Sequence, residues 1–248
     1  MSLLETAKKA VEAANKTIIE VYEAGDIDVE QKDDGFPVTI ADQRSNEVIE
    51  SILSETGIPF LSEESAHTPY EERKNWNRVW IVDPLDGTKS FIARTGDFAV
   101  HVALVENGVV ILGVVGVPVY GQVYWAEKGK GAFRQGRDET IEQIHVGQNS
   151  PKRIFASRSH MNEKTQQFLD EHPDAEILHM GSSRKFLAVA EGEADLYPRF
   201  GPTMEWDSAA PQIIVEEAGG SVLESESQKP LRYNKQDLYN PFFIVSGE

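Results

Sequence analysis

The sequence predicts a mixed α and β protein, α+β in its first half and α/β in its second. Three patterns predict it. Residues 2–23 place Leu3, Leu4, Ala7, Val11, Ala14, Ile18, Val21 and Tyr22 at helical spacing, with Gly25 to end the helix. From Asp97 to Phe133 the chain turns to β-rich residues punctuated by Asn107-Gly108, Gly113, Tyr120-Gly121 and Gly129, which reads as an antiparallel meander. Beyond about residue 140, strand and helix signals alternate.

The remaining elements follow in chain order. A second helix spans about 43–55, with Val48, Ile49, Ile52 and Leu53 inward. Ile58–Leu61 and Val79–Val82 read as short buried strands. After the meander come a strand at Ile154–Ala156, helices over 161–171 and 183–191, a strand at 194–197, a helix over 208–218, and strands at 221–223 and 242–245. The shift in pattern near residue 137 suggests sub-lobes of about 1–136 and 137–248 within one domain, 1–248. One continuous layered domain remains the alternative.

Composition narrows the function. The chain of 248 residues carries 41 acids against 24 bases, a net charge of −17. That excludes a general nucleic-acid polymer as partner, which needs a basic face. A phosphate substrate would be repelled by the mean field, so bound divalent cations or local Arg and Lys would have to reverse it. With no cysteine, disulfides and thiolate metal sites are impossible. The N-terminus is amphipathic and charged, unlike a signal peptide. The longest apolar stretch, Val109–Val119, is broken by Gly113, Gly116 and Pro118 and is too short to span a bilayer. The expectation is a cytoplasmic protein without a transmembrane segment. Peripheral association with the inner membrane, and the oligomeric state, stay open.

The chemistry concentrates in Trp80-Ile-Val-Asp-Pro-Leu-Asp-Gly-Thr-Lys-Ser-Phe91. Asp83 and Asp86 follow an apolar strand. Pro84 stiffens the turn and Gly87 frees it, so the two carboxylates can converge beyond the strand end. Carboxylates and a turn carbonyl are the hard oxygen ligands that Mg²⁺ prefers, and a metal there could clamp a phosphate and activate water. Leu61-Ser-Glu-Glu-Ser65 sets Glu63 and Glu64 behind another strand, with Glu63 as a ligand and Glu64 behind it. Trp206-Asp-Ser-Ala-Ala210 opens a helix with Asp207 as N-cap, Ala209 and Ala210 in close packing, and Gly219-Gly220 at its end. Pro211 falls in its first turn. The N-terminus of a helix attracts phosphate, so Asp207 is placed to bind a metal beside an anion. Asp42, otherwise a plain N-cap, pairs with Thr88, whose hydroxyl could orient an attacking water. Ser157-Arg-Ser-His160, Gly181-Ser-Ser-Arg-Lys185 and Tyr197-Pro-Arg199 are donor-rich and cluster in the second half, which suggests a second phosphate pocket. His145, His172 and His179 lack ligand spacing and read as structural or surface residues.

On these motifs the chain resembles the lithium-sensitive, Mg²⁺-dependent phosphatase superfamily that includes inositol monophosphatase and fructose-1,6-bisphosphatase. Its signatures W-x-x-D-P-x-D-G-T and W-D-x-A-A stand here as Trp80–Thr88 and Trp206–Ala210, with Leu61–Ser65 and Pro37–Asp42 matching two further elements. Within it, Asp86–Phe91, Ser157–His160, Gly181–Lys185 and Ala190–Pro202 resemble the CysQ-type 3′(2′),5′-bisphosphate nucleotidases. The resemblance implies an αβαβα layered sandwich, a metal site in the first sub-lobe and a nucleotide pocket in the second. It implies two to three Mg²⁺ held by Glu63, Asp83, Asp86, Asp207 and the Leu85 carbonyl. Asp42, Thr88 and Glu63 would serve catalysis. Gly87 and Thr88 would hold the scissile phosphate beside the metal ligands, and His160, Ser182, Lys185 and Arg199 the nucleotide, chiefly its 5′-phosphate. The implied activity is hydrolysis of the 3′-phosphate of adenosine 3′,5′-bisphosphate by metal-activated water. The rivals are an inositol or broader sugar-phosphate monophosphatase and a non-catalytic nucleotide sensor. Phe36 stands where the family usually has Ser, and Arg184 adds a cation near the 5′-phosphate pocket.

Overall fold

In a computed structural model, which describes residues 1–25, 29–31, 37–65, 68–156, 162–180 and 184–248, two large sheets alternate with layers of helix, beside a small two-stranded one. The chain begins with α1 (Leu3–Ala24), a hairpin of β1 (Val29–Gln31) and β2 (Pro37–Thr39), and α2 (Ile40–Leu53). Next come β3 (Phe60–Ser62), α3 (Tyr70–Arg73), β4 (Arg78–Asp86), α4 (Thr88–Ile92), β5 (Ala99–Glu106), β6 (Val109–Val117), β7 (Gln122–Glu127), β8 (Ala132–Gln135) and β9 (Ile141–Ile144). The second half holds β10 (Arg153–Ala156), α5 (Glu163–Asp170), β11 (Glu176–His179), α6 (Arg184–Ala190), β12 (Leu196–Arg199), α7 (Glu205–Glu217), β13 (Ser221–Glu224) and β14 (Phe243–Ser246).

The first large sheet runs β3-β4-β5-β6-β7-β8-β9 and is antiparallel except for β3 against β4. The second runs β11-β10-β12-β14-β13 and mixes parallel and antiparallel pairs. The meander is as expected, with Asn107 and Gly108 both at positive φ in the β5–β6 turn. Gly113, however, does not break a strand: it lies inside β6, where a Cβ would come within 2.5 Å of the Ala210 carbonyl. It is bare so that α7 can lie close. Gly116, on the other face of β6, makes room for Val11 and Asn15 of α1 in the same way. β9 and β11, which periodicity does not reveal, are exposed edge strands with few inward apolar residues.

Alternation along β4 and β5 sorts the core into two layers. Trp80, Val82, Val100, Val102 and Leu104 pack with α1 and α2. Val79, Ile81, Ala99, Ala103 and Val105 pack with α6 and α7, which fill the space between the sheets. α7 is thus buried along most of its length, which explains why its sequence is apolar nearly all round.

Candidate active site

Asp83 and Asp86 are three residues apart, a spacing that puts side chains on opposite faces of a regular strand. The structure solves this inside β4 rather than in a turn beyond it. Asp83 pairs with His101 and Asp86 with Ala99, so three steps on β4 match two on β5: a one-residue bulge. Both aspartates therefore face α7. Pro84, which has no N–H for a ladder, sits in the bulge, and its carbonyl accepts from Ser45 Oγ at 2.7 Å. Asp83 Oδ1 accepts from the Leu85 N–H at 3.0 Å, which fixes the carboxylate.

Asp207 reaches the same point from α7. It is not the N-cap, which is Met204, but the third residue of the helix, and its Oδ2 accepts from the Met204 N–H at 2.9 Å. Asp42 repeats the device. It is the third residue of α2, capped by Thr39, and its Oδ2 accepts from Thr39 N–H at 2.8 Å and Oγ1 at 2.6 Å. Reaching back to the cap engages one carboxylate oxygen and aims the group at the site. The other oxygen of Asp42 accepts from Thr88 Oγ1 at 3.0 Å. Pro211 lies in the second turn of α7, not the first, and has no N–H for the carbonyl of Asp207 four residues back.

Oxygen atoms of Asp83, Asp86 and Asp207 all lie within 4.8 Å of one another. Burial, then the charges of Glu63, Asp86 and Asp207, push the Asp83 carboxyl well above the usual carboxylate range. Burial, then Asp86, push Asp207 up to about 8. Glu63 contributes to both shifts and so faces the cluster from the turn after β3. That turn is held by Ser62, whose Oγ donates to Asn46 Oδ1 at 2.6 Å and accepts from Glu64 N–H at 3.3 Å. Carboxylates gathered this closely are stable together only when protonated or when sharing a cation. The donor set is all oxygen, which suits a hard divalent ion. The Leu85 carbonyl lies 3.3 Å from Thr88 Oγ1, a longer alternative acceptor for the one hydroxyl proton that Asp42 takes at 3.0 Å. Gly87, at φ +90°, makes the turn from β4 into α4 that a side chain would strain.

The cationic side of the site differs from a surface pocket. Lys185 is only 4% exposed; its Nζ donates to the Met180 carbonyl at 3.2 Å and lies 5.0 Å from the Tyr197 ring centre. Burial, then Arg199, lower its pKa to about 8, against the pull of Asp86 and Asp97. Arg199 donates through Nη2 to the Pro202 carbonyl, while its buried Nε has no partner among the described residues. Arg184 Nη1 pairs with Asp97 Oδ1 at 2.6 Å and its guanidinium lies over the Tyr120 ring, so its charge is largely answered within the protein. His160, Ser182 and Phe36 lie outside the described residues. His172 Nδ1 meets the Phe168 carbonyl one turn back, and His179 Nδ1 meets the Ala156 carbonyl across the β10–β11 pair.

Sequence reading passed over His101. It is fully buried in β5, opposite Asp83, and its Nδ1 stands 3.1 Å from the Trp206 carbonyl. Burial lowers its pKa. The available signal was a lone imidazole at an inward position of an otherwise apolar strand.

The comparisons agree with this architecture. A model of the inositol monophosphatase family matches residues 1–242. The chain is 40% identical over 248 residues to the 3′(2′),5′-bisphosphate nucleotidase CysQ of Escherichia coli strain K12, covering 98% of this chain and 99% of that one. Against CysQ of Haemophilus influenzae it is 34% identical over 249 residues, covering 94% and 92%. Among solved structures, CysQ from Bacteroides thetaiotaomicron matches with a TM-score of 0.87 at 40% identity, covering 98% of this chain and 96% of that one. An IMPase from Thermotoga maritima matches with a TM-score of 0.80 at 28% identity, covering 100% and 92%. The layered fold expected from the motifs is therefore the fold observed, and the chain belongs to the inositol monophosphatase family.

Proposed function

We infer that this chain is a Mg²⁺-dependent phosphatase that removes the 3′-phosphate of adenosine 3′,5′-bisphosphate. One observation carries the reading: the convergence of Asp83, Asp86 and Asp207 within 4.8 Å, in a chain similar along its whole length to CysQ nucleotidases. Glu63 and the Leu85 carbonyl complete a set that would hold two to three Mg²⁺. Such ions, when bound, neutralise the phosphate and lower the pKa of a water.

The chain's own groups do the rest. Thr88 Oγ1 donates to Asp42, which leaves its lone pairs able to accept a proton from water while its own proton passes to Asp42. Asp42 is held by the two bonds from Thr39, which keeps the acceptor in place. The second phosphate of the substrate is assigned to Lys185 and Arg199, with His160 and Ser182. The Nε of Arg199 supports this: it is buried and has no acceptor among the described residues, and a buried N–H left so costs about 1–3 kcal/mol unless an acceptor such as a phosphate supplies the bond. Lys185 supports it too: an anion beside a buried amine returns the charge that burial disfavours. Among the described residues, no helix is long and apolar enough to cross a membrane.

The test is phosphate release from adenosine 3′,5′-bisphosphate, its sulfated analogue, inositol 1-phosphate and fructose 1,6-bisphosphate, with Mg²⁺ and with chelator. The reading expects the first two to be preferred and chelator to abolish turnover. Preference for inositol 1-phosphate would assign the site to a monophosphatase. Binding of the bisphosphate without release would assign it to a sensor.

A further inference from the structure

His101 is the polar residue inside β5, with Ala99, Val100, Val102, Ala103 and Leu104 around it and Glu106 only at the strand's end. It sits opposite Asp83 in the ladder, so the two side chains share the face turned to α7. Its Nδ1 meets the carbonyl oxygen of Trp206 at 3.1 Å. A carbonyl can only accept, so Nδ1 carries the hydrogen. Trp206 is the second residue of α7 and immediately precedes Asp207. This turn is short of a bond of its own, because Pro211 offers no N–H to the Asp207 carbonyl.

We propose that His101 is a positioning residue: its Nδ1–H ties the first turn of α7 to β5 and thereby sets Asp207 against Asp83 and Asp86. The inference rests on reading the acidic cluster as a divalent-cation site. The sheet holds Asp83 and Asp86 by their own backbone. Asp207 comes from a separate helix, so its distance to them depends on what anchors that helix's end. His101 is one such anchor, in the same ladder step as Asp83. Groups that orient metal ligands in this way usually contribute 10–100-fold to affinity.

The experiment measures Mn²⁺ binding to the full chain by calorimetry, alongside melting curves without metal. His101→Leu fills the space and removes the donor. His101→Asn places an amide nitrogen where Nδ1 stood, and so restores the donor while leaving part of the ring's space empty. The expected result is a Kd raised about 10–100-fold in His101→Leu and close to wild type in His101→Asn. A purely structural role would give the reverse ranking in the melts and leave Mn²⁺ affinity unmoved. Wild-type affinity in a folded His101→Leu, or equal losses in both variants, overturns the proposal. Should His101→Leu fail to fold, ¹⁵N NMR of the wild-type imidazole decides: the Nδ1–H tautomer is expected, and an Nε2–H tautomer overturns it. A wild-type protein with no affinity for Mn²⁺ would overturn the cation reading itself, an outcome distinct from loss of the His101 effect alone.

Discussion

Thr88 and Asp42 lie 46 positions apart and meet at 3.0 Å, and that contact fixes what each substitution should do. Thr88→Ala and Asp42→Asn are each expected to lower kcat by about 10²–10⁴, the range for general-base assistance, with little change in KM. Because the two act as one unit, the double variant should be little worse than either single one. Steady-state kinetics of the three variants checks this; multiplicative losses would leave Asp42 a helix cap alone. Asp42→Asn should also lower the melting temperature slightly through its bonds to Thr39, and Thr88→Ala should not. Lys185 gives the second residue-scale prediction. Lys185→Met should reduce kcat/KM for adenosine 3′,5′-bisphosphate by roughly 10–100-fold, from a charge-assisted contact of about 1.5–3 kcal/mol. Adenosine 3′-monophosphate should lose almost nothing, and equal losses would remove Lys185 from the bisphosphate pocket. The pH dependence follows from a folded-state pKa lowered to about 8. The folded protein is penalised for the charged amine at pH 7, and the penalty fades as pH rises from about 8 to the unfolded value near 10.5. Lys185→Met should therefore gain stability at pH 7 in urea melts and lose that gain toward pH 10.5.

At the scale of elements, two helices and one strand deliver the four aspartates, and each needs a backbone device. β4 uses a bulge at Pro84. α2 and α7 use a third-position aspartate that reaches back to its cap. α7 also needs a bare glycine to approach the sheet. A Cβ at Gly113 would meet the Ala210 carbonyl at 2.5 Å and Ile213 Cγ2 at 2.7 Å. Neither neighbour can yield without moving α7. Gly113→Ala should cost about 1–3 kcal/mol by overpacking and, because Asp207 rides on that helix, should weaken Mg²⁺ activation as well. Urea melts and the Mg²⁺ dependence of kcat measure the two effects. A stability loss with unchanged Mg²⁺ dependence would show that α7 accommodates the methyl without moving Asp207.

At the scale of the whole molecule, the acidic cluster sets the electrostatics. A chain of net charge −17 brings three carboxylates together at its centre. Asp207 rises from 3.8 to about 8 on folding, and Asp83 is raised as well. For a carboxylate shifted upward, the native state favours the protonated form, so the sign runs against the usual case. In the metal-free protein the cluster's contribution to stability should be full at and below the unfolded value of about 4 and should fall as pH rises toward 8. Added Mg²⁺ should restore it, by a larger amount at pH 8 than at pH 5. Asp83→Asn should abolish turnover and yet raise the metal-free melting temperature at pH 8. Thermal melts with and without Mg²⁺ at both pH values test this. A metal-free melting temperature that climbs from pH 5 to pH 8 would mean the cluster is not repulsive.

The sequence by itself determined most of the long elements and the family. Helical spacing located α1 and α2, start and stop residues located α7, turn residues located the meander, and the motif around Asp83 and Asp86 was legible because its residues are contiguous. Local signals sufficed there because propensity and side-chain period act over a few residues. Only the tertiary structure decided how the carboxylates face one another. The bulge appears only when β4 is paired with β5, and it alone turns Asp83 and Asp86 to one side. Caps depend on where a helix starts, so Asp42 and Asp207 read as N-caps in sequence and are third residues in the fold. Burial also lies beyond local pattern. Lys185 looks like a surface cation among Ser and Arg, and is enclosed because α6 is packed between two sheets. His101 looks like filler in an apolar strand, and meets the Trp206 carbonyl because strand register and helix packing bring together residues 105 positions apart.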